Sequence, residues 1–145
     1  QGYGYSSMEE MVWGDKQHKW IKPGQLFTRG PGTYKIPAFN DIPKDMRVHL
    51  ADTNNRFAVH SSKAVGEPPY YLGVSSYFAI RQAILAARKE FKSSNTGETG
   101  LEDGMDNYLN LYCPATSERI RTSCQDPIVM NCTNQNKDYH AKGSW

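Results

Sequence analysis

The residues best suited to chemistry lie between Ser61 and Pro69, in the run Ser-Ser-Lys-Ala-Val-Gly-Glu-Pro-Pro. Glycine at 66 lets the backbone approach a ligand closely. Glu67 follows at once, and Pro68 and Pro69 stiffen the chain behind it. A carboxylate fixed on a stiff, poorly hydrated loop has its charged form disfavoured and its pKa raised. That suits a general base working near neutral pH. The same residues also read as an exposed turn with a solvated glutamate. Exposed Glu is the norm, so the residues alone favour that plainer reading.

Other chemistries are poorly supported. Gly2-x-Gly4 lacks the third glycine, the preceding strand and the opening helix of a dinucleotide fingerprint, and there is no P-loop, nucleophile elbow or H-E-x-x-H. Three cysteines, Cys113, Cys124 and Cys132, form no C-x-x-C pair, and His18, His49, His60 and His140 are scattered. Zinc and iron–sulfur sites need about four such ligands, so no metal is expected on this chain's own side chains. Cys113 has no electropositive sequence neighbour and is expected as a packed thiol. An odd cysteine count without a framework points to a reducing compartment, cytoplasmic or peroxisomal. Asn131-Cys132-Thr133 fits the glycosylation acceptor pattern, but with no secretory signal visible it is expected to be a chance match. The chain carries 17 basic and 15 acidic residues among 145, a net charge of +2. That balance argues against a nucleic-acid partner reading phosphate. No apolar run approaches the ~20 residues a membrane span needs.

Elements must hold the 61–69 loop in place. Met8 to Trp13 suits a strand after a glycine-rich approach, and Met46 to Ala51 alternates with Met46, Val48 and Leu50 on one side. Residues 22–45 are dense in glycine and proline and fit no regular element. Gly73, Tyr77, Ile80, Ile84, Ala87 and Phe91 recur at spacings of 4, 3, 4, 3 and 4, one continuous face of a long helix. Ser93 to Gly104 reads as a polar surface loop. Thr116 is the candidate N-cap of a short helix reaching about Cys124. The fold class expected is α+β: few short strands, one long and one short helix, and long irregular loops. Residues 1–126 form one portion and 127–145 a polar tail. Only 38% of the residues are apolar, a lean core for a free-standing domain.

Three stretches in order resemble the molybdenum hydroxylases, the family of the xanthine dehydrogenases and aldehyde oxidases. They are Thr28-Arg29-Gly30-Pro31-Gly32-Thr33-Tyr34-Lys35-Ile36-Pro37, Ser62-Lys63-Ala64-Val65-Gly66-Glu67-Pro68-Pro69, and the helix from Leu72-Gly73 to Arg88. Gln1-Gly2-Tyr3-Gly4, Met8-Glu9-Glu10 and the segment from Pro114 to Cys124 are similar to the family's flanking parts. The resemblance covers residues 1 to about 126 and corresponds to the C-terminal part of a molybdopterin-binding domain.

The resemblance implies that Glu67 is the catalytic base, assisting attack of a molybdenum-bound oxygen on an electron-poor substrate carbon, with hydride passing to the metal centre. It implies that Lys63, Ala64, Val65 and Gly66 line the molybdopterin and that Gln1 hydrogen-bonds it. Iron–sulfur clusters and FAD belong to the parent enzyme's upstream domains, not to this chain, which alone is expected neither to hold the cofactor nor to turn over. The parent is expected to be a homodimer. Pro68-Pro69 resembles the purine-oxidising branch, converting hypoxanthine and xanthine to urate. Oxidation of aldehydes or N-heterocycles is the alternative, and a non-catalytic interaction module derived from the fold is a further one.

Overall fold

A computed structural model describes residues 1–63, 65–96 and 109–135 of the chain. Five α-helices order it: α1 (Gly2–Ser7), α2 (Pro68–Leu72), α3 (Ser75–Thr96), α4 (Ser117–Ser123) and α5 (Pro127–Gln135). Two 3₁₀ turns, Phe39–Asp41 and Val59–Ser61, interrupt the long loop between α1 and α2.

The core is built on α3. Ile84 is 1% exposed and packs with Leu109, Leu111 and Ala115, flanked by Tyr77, Ile80, Leu85, Ile120 and Cys124. Tyr77, Ile80 and Ile84 fall on the face that the spacing predicts, Leu85 was not among the predicted positions, and Gly73, expected on the same helix, instead closes α2. Tyr77 ties the helix to the incoming segment by donating its hydroxyl to the Leu111 carbonyl. Arg88 Nε donates to the Ser123 carbonyl at 2.6 Å, satisfying an orphan acceptor at the end of α4. Thr116 caps α4 as expected, its Oγ1 accepting from the Arg119 amide at 3.4 Å. Of the polar stretch Ser93–Gly104, the first residues continue α3 to Thr96, and 97–108 lie outside the described residues.

The two expected strands do not form as strands among the described residues. Trp13 and Leu26 make a single antiparallel bridge, flanked by Phe27 N to the Val12 carbonyl at 2.8 Å and Gly14 N to the Gln25 carbonyl at 2.9 Å. The ladder stops because the buried Thr28 hydroxyl takes the Val12 amide, at 2.9 Å, in place of a backbone acceptor. Residues 46–51 take no regular structure and have no partner strand among the described residues. Among the described residues the regular structure is therefore helical, joined by long irregular loops, rather than α+β.

Two helices arise where no helix was expected. α1 is six residues of glycine, tyrosine and serine, poor helix formers. Tertiary contacts hold it, including the Ala115 amide donating to the Ser6 carbonyl at 2.7 Å. α5 opens the segment 127–145: Asp126 Oδ1 accepts from the Val129 amide at 3.0 Å, and Pro127 occupies the first helical position, where its missing N–H costs nothing. Residues 136–145 lie outside the described residues.

Glycine explains how α1 meets α2. A Cβ on Gly2 would stand 2.6 Å from Gly73 Cα, and one on Gly73 would stand 2.7 Å from Gly2 Cα. A Cβ on Gly4 would stand 2.5 Å from Pro37 Cδ. The Gly2-x-Gly4 pair thus serves backbone approach between elements. Gly73→Ala is expected to lose about 1–3 kcal/mol, the usual cost of overpacking. A denaturant midpoint equal to that of the unsubstituted protein would refute the close contact.

Candidate functional site

The loop that carries Glu67 is pinned at its base. Ser61 Oγ donates to Asn54 Oδ1 at 2.8 Å, and Lys63 Nζ lies 3.3 Å from Thr53 Oγ1. His60 and Ser61 both adopt left-handed backbone, at φ 51° and 56°. Non-glycine residues rarely do so, and such strain concentrates at functional sites.

Glu67 starts α2, with Pro68 and Pro69 in the first helical positions. A residue before proline is pushed away from helical backbone, yet Glu67 sits at φ −75° and ψ −26°. Its carbonyl accepts from the amides of Tyr70 at 2.9 Å and Tyr71 at 3.2 Å, which holds that conformation. Its carboxylate makes no capping hydrogen bond and is left for other work.

The structure places Gln1, Lys63, Val65, Gly66 and Glu67 on the exposed surface. Ala64 lies outside the described residues. The poorly hydrated setting expected for Glu67 is not made by this chain's own atoms. Gln1 begins α1, whose first turn seats on Gly73 at the far end of α2 from Glu67. One short helix, roughly 8 Å of axis at 1.5 Å per residue, therefore separates the two ends of the candidate site. Around Gly66 a Cβ would meet nothing within 4 Å, so the backbone there is open to a ligand.

Residues that the sequence did not single out hold α1, α2 and the glycine-proline arm together. Tyr5 and Tyr70 rings pack with centroids 5.6 Å apart. Tyr34, at the end of the arm's Gly30 turn, donates its hydroxyl to Glu9 Oε2 at 2.5 Å. The Glu9 carboxylate favours the protonated phenol and, with burial, pushes Tyr34 up to about 12. Free tyrosine titrates near ~10, so this contact stabilises the fold fully below that pH. The stabilisation is lost as pH rises from there towards about 12. Comparing Tyr34→Phe with the unsubstituted protein by denaturant midpoint, the difference should shrink across that alkaline window. A difference constant with pH would rule the linkage out.

Cys113, expected as a packed thiol, is exposed, with Sγ 3.9 Å from the Tyr5 carbonyl. A cavity of about 220 Å³ next to it is lined by Tyr5, Glu9, Glu10, Met11, Cys113, Pro114 and Arg119 and does not include the Glu67 loop. Among the described residues no group of three His, Cys, Asp or Glu side chains could hold a metal ion, and no helix is long and apolar enough to cross a membrane.

No family model matches the chain. It is similar to xanthine dehydrogenase 2 of Arabidopsis thaliana, 51% identical over 127 residues, which cover 87% of this chain and 8% of that protein. It is similar to xanthine dehydrogenase of Oryza sativa subsp. japonica, 50% identical over 130 residues, 89% of this chain and 9% of the relative. Xanthine dehydrogenase of Dictyostelium discoideum is 49% identical over 136 residues, 93% and 9% respectively. The chain spans less than a tenth of the length of these relatives. At about half identity over nearly all of its residues, the chain is homologous to one short segment of the xanthine dehydrogenases.

Proposed function

We propose that this chain is a portion of a molybdenum hydroxylase that oxidises purines, and that Glu67 is its catalytic base. The observation that carries the proposal is the Lys63–Pro69 run, on a strained loop, with the Glu67 carboxylate uncommitted at the start of a proline-fixed helix. The relatives' names, xanthine dehydrogenase in each case quoted, favour a purine over an aldehyde as substrate.

The residues fit molybdopterin. Gly66 is open to close approach. Lys63, Val65 and Gln1 are exposed, and a glutamine amide both donates and accepts, as a pterin edge or phosphate requires. In this reading Lys63, Ala64, Val65 and Gly66 line the cofactor and Gln1 hydrogen-bonds it. When bound, the cofactor supplies a redox centre able to take two electrons from the substrate. Net, a substrate C–H carbon gains an oxygen from water and gives up two electrons and two protons. Glu67 takes a proton at its carboxylate, and the two prolines keep that carboxylate from drifting away. Segments outside this chain complete the cofactor site and exclude water, and the parent protein carries the iron–sulfur clusters and FAD and works as a homodimer.

The test is an assay of the longer protein that contains this segment, with xanthine, hypoxanthine and an aromatic aldehyde compared by kcat/KM. Urate formation with kcat/KM highest for the purines is expected. Preference for the aldehyde would overturn the purine assignment, and oxidation of none of them would overturn the enzymatic reading.

A further inference from the structure

Residues 46–51, Met-Arg-Val-His-Leu-Ala, alternate apolar and polar side chains at the two-residue period of a half-buried strand. Yet the apolar side is bare: Met46 is 66% exposed, Val48 68% and Leu50 95%. The segment belongs to no helix or turn, and none of the N–H or C=O groups of 46–50 makes a backbone hydrogen bond among the described residues. On the polar side, Asp45 and Arg47 pair with each other at 2.7 Å and remain in solvent. Phe39, at 86% exposed, and Phe57, at 101%, extend the bare apolar surface on either side in sequence.

Five consecutive peptide groups cannot be buried unpaired, and a bare stripe of Met, Val and Leu is not a stable solvent face. Both needs are met at once if another strand lies alongside and a core closes over the apolar side. We propose that residues 46–51 form a β-strand on a sheet edge supplied by the rest of the longer polypeptide. The occupant is assigned to that polypeptide because this chain spans only 8–9% of the relatives it matches, leaving more than nine-tenths of such a protein to provide the edge. The proposal rests on the reading that the chain is part of a longer protein, but not on what that protein oxidises.

Amide hydrogen exchange by mass spectrometry on the longer protein tests it. The amides of 47–51 are expected to exchange about a hundredfold or more slowly than in an unstructured peptide of the same sequence, as ladder amides do. Val48→Pro, which removes one ladder donor, is expected to abolish that protection locally while exchange in α3 is unchanged. Exchange at the unstructured rate in the longer protein would overturn the proposal. Protection that grows with protein concentration alongside self-association would assign the edge to a second copy and overturn it too. The intact mass of the native protein separates the two readings: a mass near 16.4 kDa would remove the longer polypeptide altogether, whereas a long polypeptide with unprotected amides overturns the strand alone. Failure to oxidise xanthine leaves the exchange result standing.

Discussion

Glu67→Gln in the longer protein is expected to lower kcat for xanthine by about 10²–10⁴-fold, the usual contribution of a positioned general base. Glutamine keeps the size of the side chain and one acceptor oxygen but cannot take a proton. Because Glu67 holds α2 through its backbone carbonyl, at 2.9 Å from the Tyr70 amide, the substitution leaves the local fold in place. KM and bound molybdopterin content are therefore expected to change little, which separates lost chemistry from lost structure. A variant with undiminished kcat would remove Glu67 from the mechanism. A parallel fall in cofactor content would make it a binding residue instead.

The largest expected loss of stability is at the other side of α1. Glu10 is nine-tenths buried, and its Oε1 pairs with the Arg119 guanidinium of α4. Arg119 Nη1 also donates to the Pro114 carbonyl at 2.8 Å. Glu10 Oε2 is buried with no hydrogen-bond partner among the described residues, so the pair already carries an uncompensated acceptor. Removing one member of a buried pair strands the other charge, at a typical cost of about 3–5 kcal/mol. Arg119 is itself 22% exposed, so water can partly reach the stranded carboxylate, and about 2–4 kcal/mol is the fitting expectation for Arg119→Leu. The double variant Glu10→Leu with Arg119→Leu removes both charges and should recover most of that loss. Denaturant midpoints measure both. An Arg119→Leu midpoint within error of the unsubstituted protein would show that the pair does not carry the junction between the segment after α1 and α4.

The parts of the fold that were legible in the residues are those fixed by local pattern. α3 announced itself because five of the six face positions lie in it at helical spacing and the core lies on that face; the sixth, Gly73, closes α2. α4 followed from Thr116, a cap that acts within three residues. α5 carried a comparable signal in Asp126-Pro127, a cap followed by proline at the first helical position. That signal was masked by the polar residues after it. α1 could not be read, because its weak propensity is overridden by distant partners, such as the Ala115 amide on the Ser6 carbonyl. The alternation in 46–51 was correctly seen, but a strand needs a neighbour and none is present among the described residues. At the site, the Glu67 loop was legible as a run of residue types. The left-handed backbone at His60 and Ser61 was not, since histidine is only enriched in such backbone and serine does not mark it. Nor was the Gly2–Gly73 contact, because neither glycine has a local reason to be there.

The tie between α1 and the segment 113–119 also sets an order of events. Residues 6 and 10 find their partners at 115 and 119, and the Glu10–Arg119 pair spans 109 positions. At a synthesis rate of about 5–20 residues per second, the first helix waits roughly 5–20 s after emerging before those partners exist. During that interval its glycines and tyrosines have little intrinsic reason to stay helical. Closing the segment onto 115–119 joins residues more than a hundred positions apart, a contact that only a nearly complete segment can make. A chain synthesised only as far as residue 114 would therefore lack the partners that hold both the first turn and residue 10.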